Sequence, residues 1–231
     1  MNILKSISKF HIATFIALLF HVSGCIGMFT NNRDWFIQNT PLNLLLMFGL
    51  LIWTHEPKYG KLAAFFIICF AVGMITEMIG VNTGILFGKY AYGTVMGPKL
   101  LQVPYLIGIN WFVIMYTSAM TIMKFHEWVE DRYAIAGSML TPQIKSLSLI
   151  LDGALLATFF DFIMEPVAVK LGYWLWLGDG SIPFFNYLCW FIISIGLLYV
   201  FGRLTFTTHN LFAVHLFLIQ LLFFGVLRTF L

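Results

Sequence analysis

LAAFFIICFAVGMITEMIG, residues 62–80, is an unbroken apolar run carrying a single charge, Glu77. About 20 such residues is the length a helix needs to cross the hydrocarbon core of a bilayer. In lipid a backbone must satisfy its own polar groups, which a helix does. Outward from this stretch the pattern recurs at 10–29, 42–53, 103–123, 144–167, 182–201 and 211–227. The reading is an all-α, polytopic membrane bundle of about seven transmembrane helices. It forms one transmembrane domain over residues 1–231, with a motif-bearing core at 77–190. The second span is short; extended back to Trp35, it reaches full length with a kink at Pro41.

Composition agrees. Of 231 residues, 60% are hydrophobic and 10% charged, and the mean hydropathy is +0.89. A soluble domain carries about a quarter charged residues because its surface faces water. The net charge of +3 is too small, and the lysines too dispersed, to imply a nucleic-acid partner. Cys25, Cys69 and Cys189 lie inside apolar runs without paired spacing and read as packing residues.

Basic residues set the expected orientation. With a cytoplasmic N-terminus, the inner loops hold Lys5, Lys9, Lys58, Lys61, Lys124, Arg132, Lys145 and Arg203. Arg33, Lys89, Lys99, Lys170 and Arg228 fall outside. Val22-Ser23-Gly24-Cys25 resembles a lipoprotein cleavage box, but the apolar run continues to Phe29, so the first helix is expected to remain.

An ionisable group near the bilayer centre costs about 3 kcal/mol or more, so the polar residues within the spans carry the information. Glu77, Asp161 and Glu165 fall near one end of the third and fifth spans. Asn110 and Trp111 open the fourth span at that same end, and Asn186 and Trp190 open the sixth. Asp161 and Glu165 are four apart and share a helix face. Two carboxyls so close, in a poor dielectric, do not both ionise easily, which suits one of them to acid catalysis. Pro166 is expected to end or kink the helix directly after Glu165. Asp152 is half a turn out of phase with Asp161 and faces elsewhere, either bonding a neighbouring helix or pairing with Lys145.

Blander readings exist for each. Glu77 alone could pair with Lys89, and Glu165 alone with Lys170, in the headgroup region. Tyr173, Trp174 and Trp176 read by default as an interfacial belt. The histidines at 11, 21, 55, 126, 209 and 215 read as loop or packing residues. The glycine- and aromatic-rich stretch 80–93 reads as a re-entrant or capping loop over a hydrophobic cavity.

What is missing narrows the chemistry. No His-x-x-His or His-x-x-x-His pair suits a membrane di-iron centre, no Asp-rich box suits magnesium diphosphate, and no glycine fingerprint suits a dinucleotide. Acids, amides and aromatics in lipid suit cofactor-free acid–base chemistry on a hydrophobic substrate, or proton-coupled transport.

Several ordered blocks carry a family resemblance: Glu77-Met78-Ile79-Gly80-Val81-Asn82-Thr83-Gly84, Phe87-Gly88-Lys89-Tyr90-Ala91-Tyr92, and Gly97 through Pro104 with Asn110-Trp111. They continue as Asp161-Phe162-Ile163-Met164-Glu165-Pro166, Gly172-Tyr173-Trp174-Leu175-Trp176 and Ile182-Pro183-Phe184-Phe185-Asn186-Tyr187 with Trp190. In these the chain resembles the membrane carotenoid hydratases of the CruF type, the bisanhydrobacterioruberin hydratase family. That family places aspartate before the proline where this chain has Glu165.

The resemblance implies addition of water to the terminal double bond of an acyclic carotenoid end, giving a tertiary alcohol. The implied partners are a lycopene- or γ-carotene-like substrate, water and the lipid bilayer of the cell's inner membrane, with other carotenoid-pathway membrane enzymes as possible associates. It implies no metal and no cofactor. Asp161 and Glu165 are then expected to form the acid–base pair, with Glu77 orienting them or serving as the acid. Tyr90, Tyr92, Trp174, Trp176 and Trp190 are candidates to stabilise a carbocation. Asn110 and Asn186 are candidates to hold the water, and Trp111 to bind substrate. A cyclase or isomerase would use the same cation, and a proton-coupled transporter would also place acids at helix breaks.

Overall fold

A computed structural model of the chain describes residues 8–55, 59–133, 140–206 and 210–231. Eight helices follow one another: α1 (Lys9–Gly27), α2 (Arg33–Gln38), α3 (Thr40–Thr54), α4 (Tyr59–Thr83), α5 (Tyr105–Tyr133), α6 (Pro142–Lys170), α7 (Phe184–Arg203) and α8 (Leu211–Phe230). Six of them, α1 and α4 to α8, are long and apolar enough to cross a membrane. These six match expected spans. The remaining expected span is α3, whose 15 residues reach only ~22 Å at about 1.5 Å per residue. It does not extend back to Trp35, which belongs to the separate helix α2. Pro41 produces no kink; it lies in the first turn of α3, where its missing N–H leaves no helical bond unmade.

The bundle is organised around α5, in which residues 111–120 are buried without a break. On α4 the buried positions Leu62, Phe65, Cys69, Gly73, Glu77 and Gly80 recur at three- and four-residue spacing, a single helix face. Gly73 on that face makes room for Trp111, whose ring would lie 2.5 Å from a side-chain Cβ there. Large apolar residues such as Phe15, Ile67, Leu155, Ile192 and Leu222 point outward, as a lipid-facing surface requires.

The basic residues sort to the bundle's two ends in the groups expected, save Lys5 and Lys58, which lie outside the described residues, as does His209. At one end Lys145 pairs with Glu130 at 2.6 Å. Asp152 therefore does not pair with Lys145; it accepts from Ser148 Oγ at 2.5 Å, and Ser148 in turn meets His126 Nε2 on α5 at 2.8 Å. His21 is buried with Nδ1 against the Ala17 carbonyl, and His55 meets Tyr116, both packing roles.

At the other end α6 corrects the expectation for Pro166. The helix runs through the proline to Lys170. A proline leaves the carbonyl four residues back without its donor, here that of Phe162. Arg228 of α8 donates to that carbonyl, with its guanidinium 4.3 Å from the Phe162 ring centroid. The helix ends instead at Gly172, which has φ of +73°. Gly172 N–H donates to Val169 O and Tyr173 N–H to Ala168 O, the paired bonds of a Schellman stop.

Four short strands follow the helix ends: β1 (Tyr90–Tyr92), β2 (Lys99–Leu100), β3 (Val103–Pro104) and β4 (Trp174–Trp176). β2 and β3 form a tight hairpin. β1 pairs antiparallel with β4, setting Tyr90 opposite Trp176 and Tyr92 opposite Trp174. The chain is thus all-α except for these two ribbons, which are too short to leave a periodic signal in sequence.

Gly172→Val should lower stability by about 1–2 kcal/mol, the cost of a left-handed conformation for a residue with a side chain, read by chemical unfolding in detergent. Stability equal to that of the wild type would refute this account of how α6 stops.

Candidate active site

The β1–β4 ribbon works by alternation. Successive strand side chains point to opposite faces, so Tyr-Ala-Tyr paired with Trp-Leu-Trp puts four aromatics on one face. Leu175, 50% exposed, takes the other. The four aromatics face inward and each carries a polar hydrogen at its tip. Gly93, whose N–H donates to Tyr173 O at 2.8 Å, lets the two segments approach; a Cβ there would lie 2.2 Å from the Gly172 carbonyl oxygen.

Beneath the ribbon sit the three expected acids. Glu77 is 5% exposed, Asp161 0% and Glu165 2%. Trp174 and Trp176 each donate an indole N–H to Glu165 Oε1 at 2.6 Å. Tyr92 donates to Glu77 Oε2 at 2.7 Å, Tyr90 donates to the same oxygen, and Trp111 Nε1 donates to Oε1 at 3.0 Å. Asp161 has one donor, Asn186 Nδ2, at 2.9 Å from Oδ2. Its other oxygen, Oδ1, is buried with no hydrogen-bond partner among the described residues. No hydrogen bond joins two of the three carboxyl groups among those residues.

The headgroup pairings of Glu77 with Lys89 and Glu165 with Lys170 are therefore not made. Nor do Tyr173, Trp174 and Trp176 form a surface belt; all three are buried. Burial first, and then the charge of Glu77, push the phenols of Tyr90 and Tyr92 well above their ordinary range, so both remain donors.

The expected residues Glu77, Tyr90, Tyr92, Asn110, Trp111, Asp161, Glu165, Trp174, Trp176, Asn186 and Trp190 all line one cavity of about 30 Å³. That volume holds a water but not a branched hydrocarbon end. Trp111 and Trp190 stack in its wall with centroids 3.9 Å apart. Sequence reading missed three further lining residues, Phe87, Ile107 and Met164. Phe87 and Met164 lie inside the motif blocks, and Ile107 sits one helical turn before Trp111, a spacing that could have flagged it.

A protein-family model described as "Carotenoid biosynthesis protein" matches residues 40–230, a range that contains every residue of this cavity. The chain belongs to that family. Among curated proteins, this family member is 24% identical over 119 residues to a bisanhydrobacterioruberin hydratase of Haloarcula japonica. The match takes in 50% of this chain and 36% of that relative, so the chain spans well under two thirds of the relative's length. No solved structure matches. The family resemblance read from the motif blocks thus agrees with both sequence comparisons.

Replacing Trp174 and Trp176 together by Phe keeps the aromatic bulk but removes both donors to Glu165. Stranding a buried carboxylate in this way should cost about 1–3 kcal/mol or more. Leu175→Phe, on the outward face, should be close to neutral. Equal unfolding midpoints in detergent for the two variants would show that the ribbon is not held by these bonds.

Proposed function

We propose that this protein is a carotenoid hydratase, adding water across the terminal carbon–carbon double bond of an acyclic carotenoid end. The observation that carries this reading is the asymmetry of the three buried acids. Glu77 accepts three donors over its two oxygens and Glu165 accepts two indole N–H groups on Oε1, and donors of this kind favour the charged form. Asp161 has one donor and a bare, buried oxygen. Three negative charges in one small buried cavity would repel strongly, which favours a proton on Asp161 Oδ1. A carboxylic acid held neutral in an apolar site is a competent general acid.

In the forward step Asp161 gives its proton to the less substituted carbon of the double bond, and the more substituted carbon becomes a tertiary cation. The faces of Trp174, Trp176 and Trp190 and the phenol rings of Tyr90 and Tyr92 stabilise that charge. Trp111 backs Trp190 through their stack. A water held at the Asn110 side of the cavity then attacks the cation through its oxygen. The proton it releases returns to the Asp161–Glu165 pair, restoring the acid. Asn186 orients Asp161 through the bond to Oδ2, a different role from the water-holding one considered from sequence. Glu77 fixes the lid and adds negative charge that favours the cation.

The family match and the hydratase relative support this reading. Burial of the three acids also fits it, since a tertiary cation in a wet site would be captured without control.

The test is co-expression with a pathway making an acyclic carotene, followed by chromatography and mass spectrometry of the pigments. The expected product is heavier by one water, more polar and unchanged in chromophore. An isomer of unchanged mass would replace hydration with cyclisation. Unaltered pigment beside verified protein in the membrane would refute the proposal. Asp161→Asn should lower product by at least about a hundredfold with membrane abundance intact; loss of the protein itself would mark Asp161 as structural.

A further inference from the structure

The acid cavity is too small for the group it is proposed to act on, and a second cavity adjoins it. Ile107, Asn110, Met164 and Trp174 line both this cavity and a second one of about 80 Å³. Thr40, Asn43 and Phe223 line both the second cavity and a third of about 300 Å³. The third lies among α1, α2 and α3, and its wall includes Phe20, Trp35 and Leu42. These are 45%, 61% and 63% exposed, so it opens on the surface that meets lipid. The three spaces form a series from the carboxylates to the bilayer.

We infer that this series is the binding passage for the conjugated chain of the substrate, with the reacting end at Asp161 and the remainder leaving the protein between α1 and α3. The identity of the occupant rests on the hydratase reading. A conjugated polyene is stiff and cannot coil into a compact pocket, so an end group delivered to Asp161 needs a continuous path behind it. The walls suit such a chain, being aromatic and aliphatic over most of their length.

Shared wall residues mark two junctions in the series. The inner one is made by Ile107, Asn110, Met164 and Trp174, so it adjoins the Trp174–Glu165 bond. The outer one is made by Thr40, Asn43 and Phe223. Thr40 Oγ1 is held 2.6 Å from the Tyr173 hydroxyl, a bond that ties the start of α3 to the turn after α6. Burial pushes the Tyr173 phenol up to about 12, which keeps it protonated. Asn43 Oδ1 is buried with no hydrogen-bond partner among the described residues. It stands where an incoming water or the product's hydroxyl must pass.

The test blocks the outer part of the series from opposite walls, away from the acids. Asn43→Trp fills the outer junction from α3. Gly24→Phe fills the third cavity from α1, where a Cβ meets the Phe223 ring at an ordinary 3.6 Å. The full chain is purified in detergent from bacteria making an acyclic carotene, and bound pigment per protein is read by absorbance. Wild type and Asp161→Asn should both carry pigment, and both blocked variants should lose it at least tenfold while eluting as folded protein. Wild-type pigment in the two blocked variants, or none in wild type, overturns the passage. Pigment bound by wild type but never converted refutes the hydratase reading and leaves the passage standing.

Discussion

A carboxylate inside an apolar bundle has to be supplied with donors, and most of the lid end of this protein follows from that requirement. Among the described residues no cationic side chain hydrogen-bonds to Glu77 on α4 or Glu165 on α6. Their donors come instead from Tyr90, Tyr92 and Trp111, and from Trp174 and Trp176. Four of those five sit on one short ribbon, where strand alternation points them the same way. The same bonds tie the ribbon over the cavity and hold two of its three acids in place. Leaving such groups unmet would cost more than any single apolar contact returns.

The ribbon can reach the carboxylates only because α6 stops where it does. Had Pro166 ended the helix, Trp174 and Trp176 would not follow Glu165 by the span that returns them above it. Arg228 removes the penalty of the proline by occupying the Phe162 carbonyl, and Gly172 then turns the chain back. A basic residue on α8 thus sets the position of two donors on β4 through a backbone carbonyl of α6. Gly73 and Gly93 act in the same spirit, each clearing space for a close approach that a Cβ would forbid.

A site built this way suits chemistry that needs a proton and no bulk water. Hydrocarbon lipid already excludes water, the aromatic walls carry negative faces toward a developing cation, and the donors restrain two of the three acids. Such a site must also admit its substrate, and the passage inferred through the adjoining cavities would supply the entry.

The sequence by itself determined the class of fold and eleven of the fourteen residues that line the acid cavity. Bilayer thickness and the cost of an unpaired backbone group leave little choice for apolar runs such as 62–80, so six long spans were legible with their approximate limits. Intramembrane charge is so costly that Glu77, Asp161 and Glu165 stood out by type and position alone, and the aromatics and amides near them followed. Only the tertiary structure decided which donor meets which acid, because those partners lie far apart in the chain and a three-residue ribbon leaves no periodic trace. It also decided that α6 passes through Pro166, since the compensating donor is on another helix. The independence of α2 from α3 and the series of adjoining cavities arise likewise from packing between helices, which local sequence does not encode.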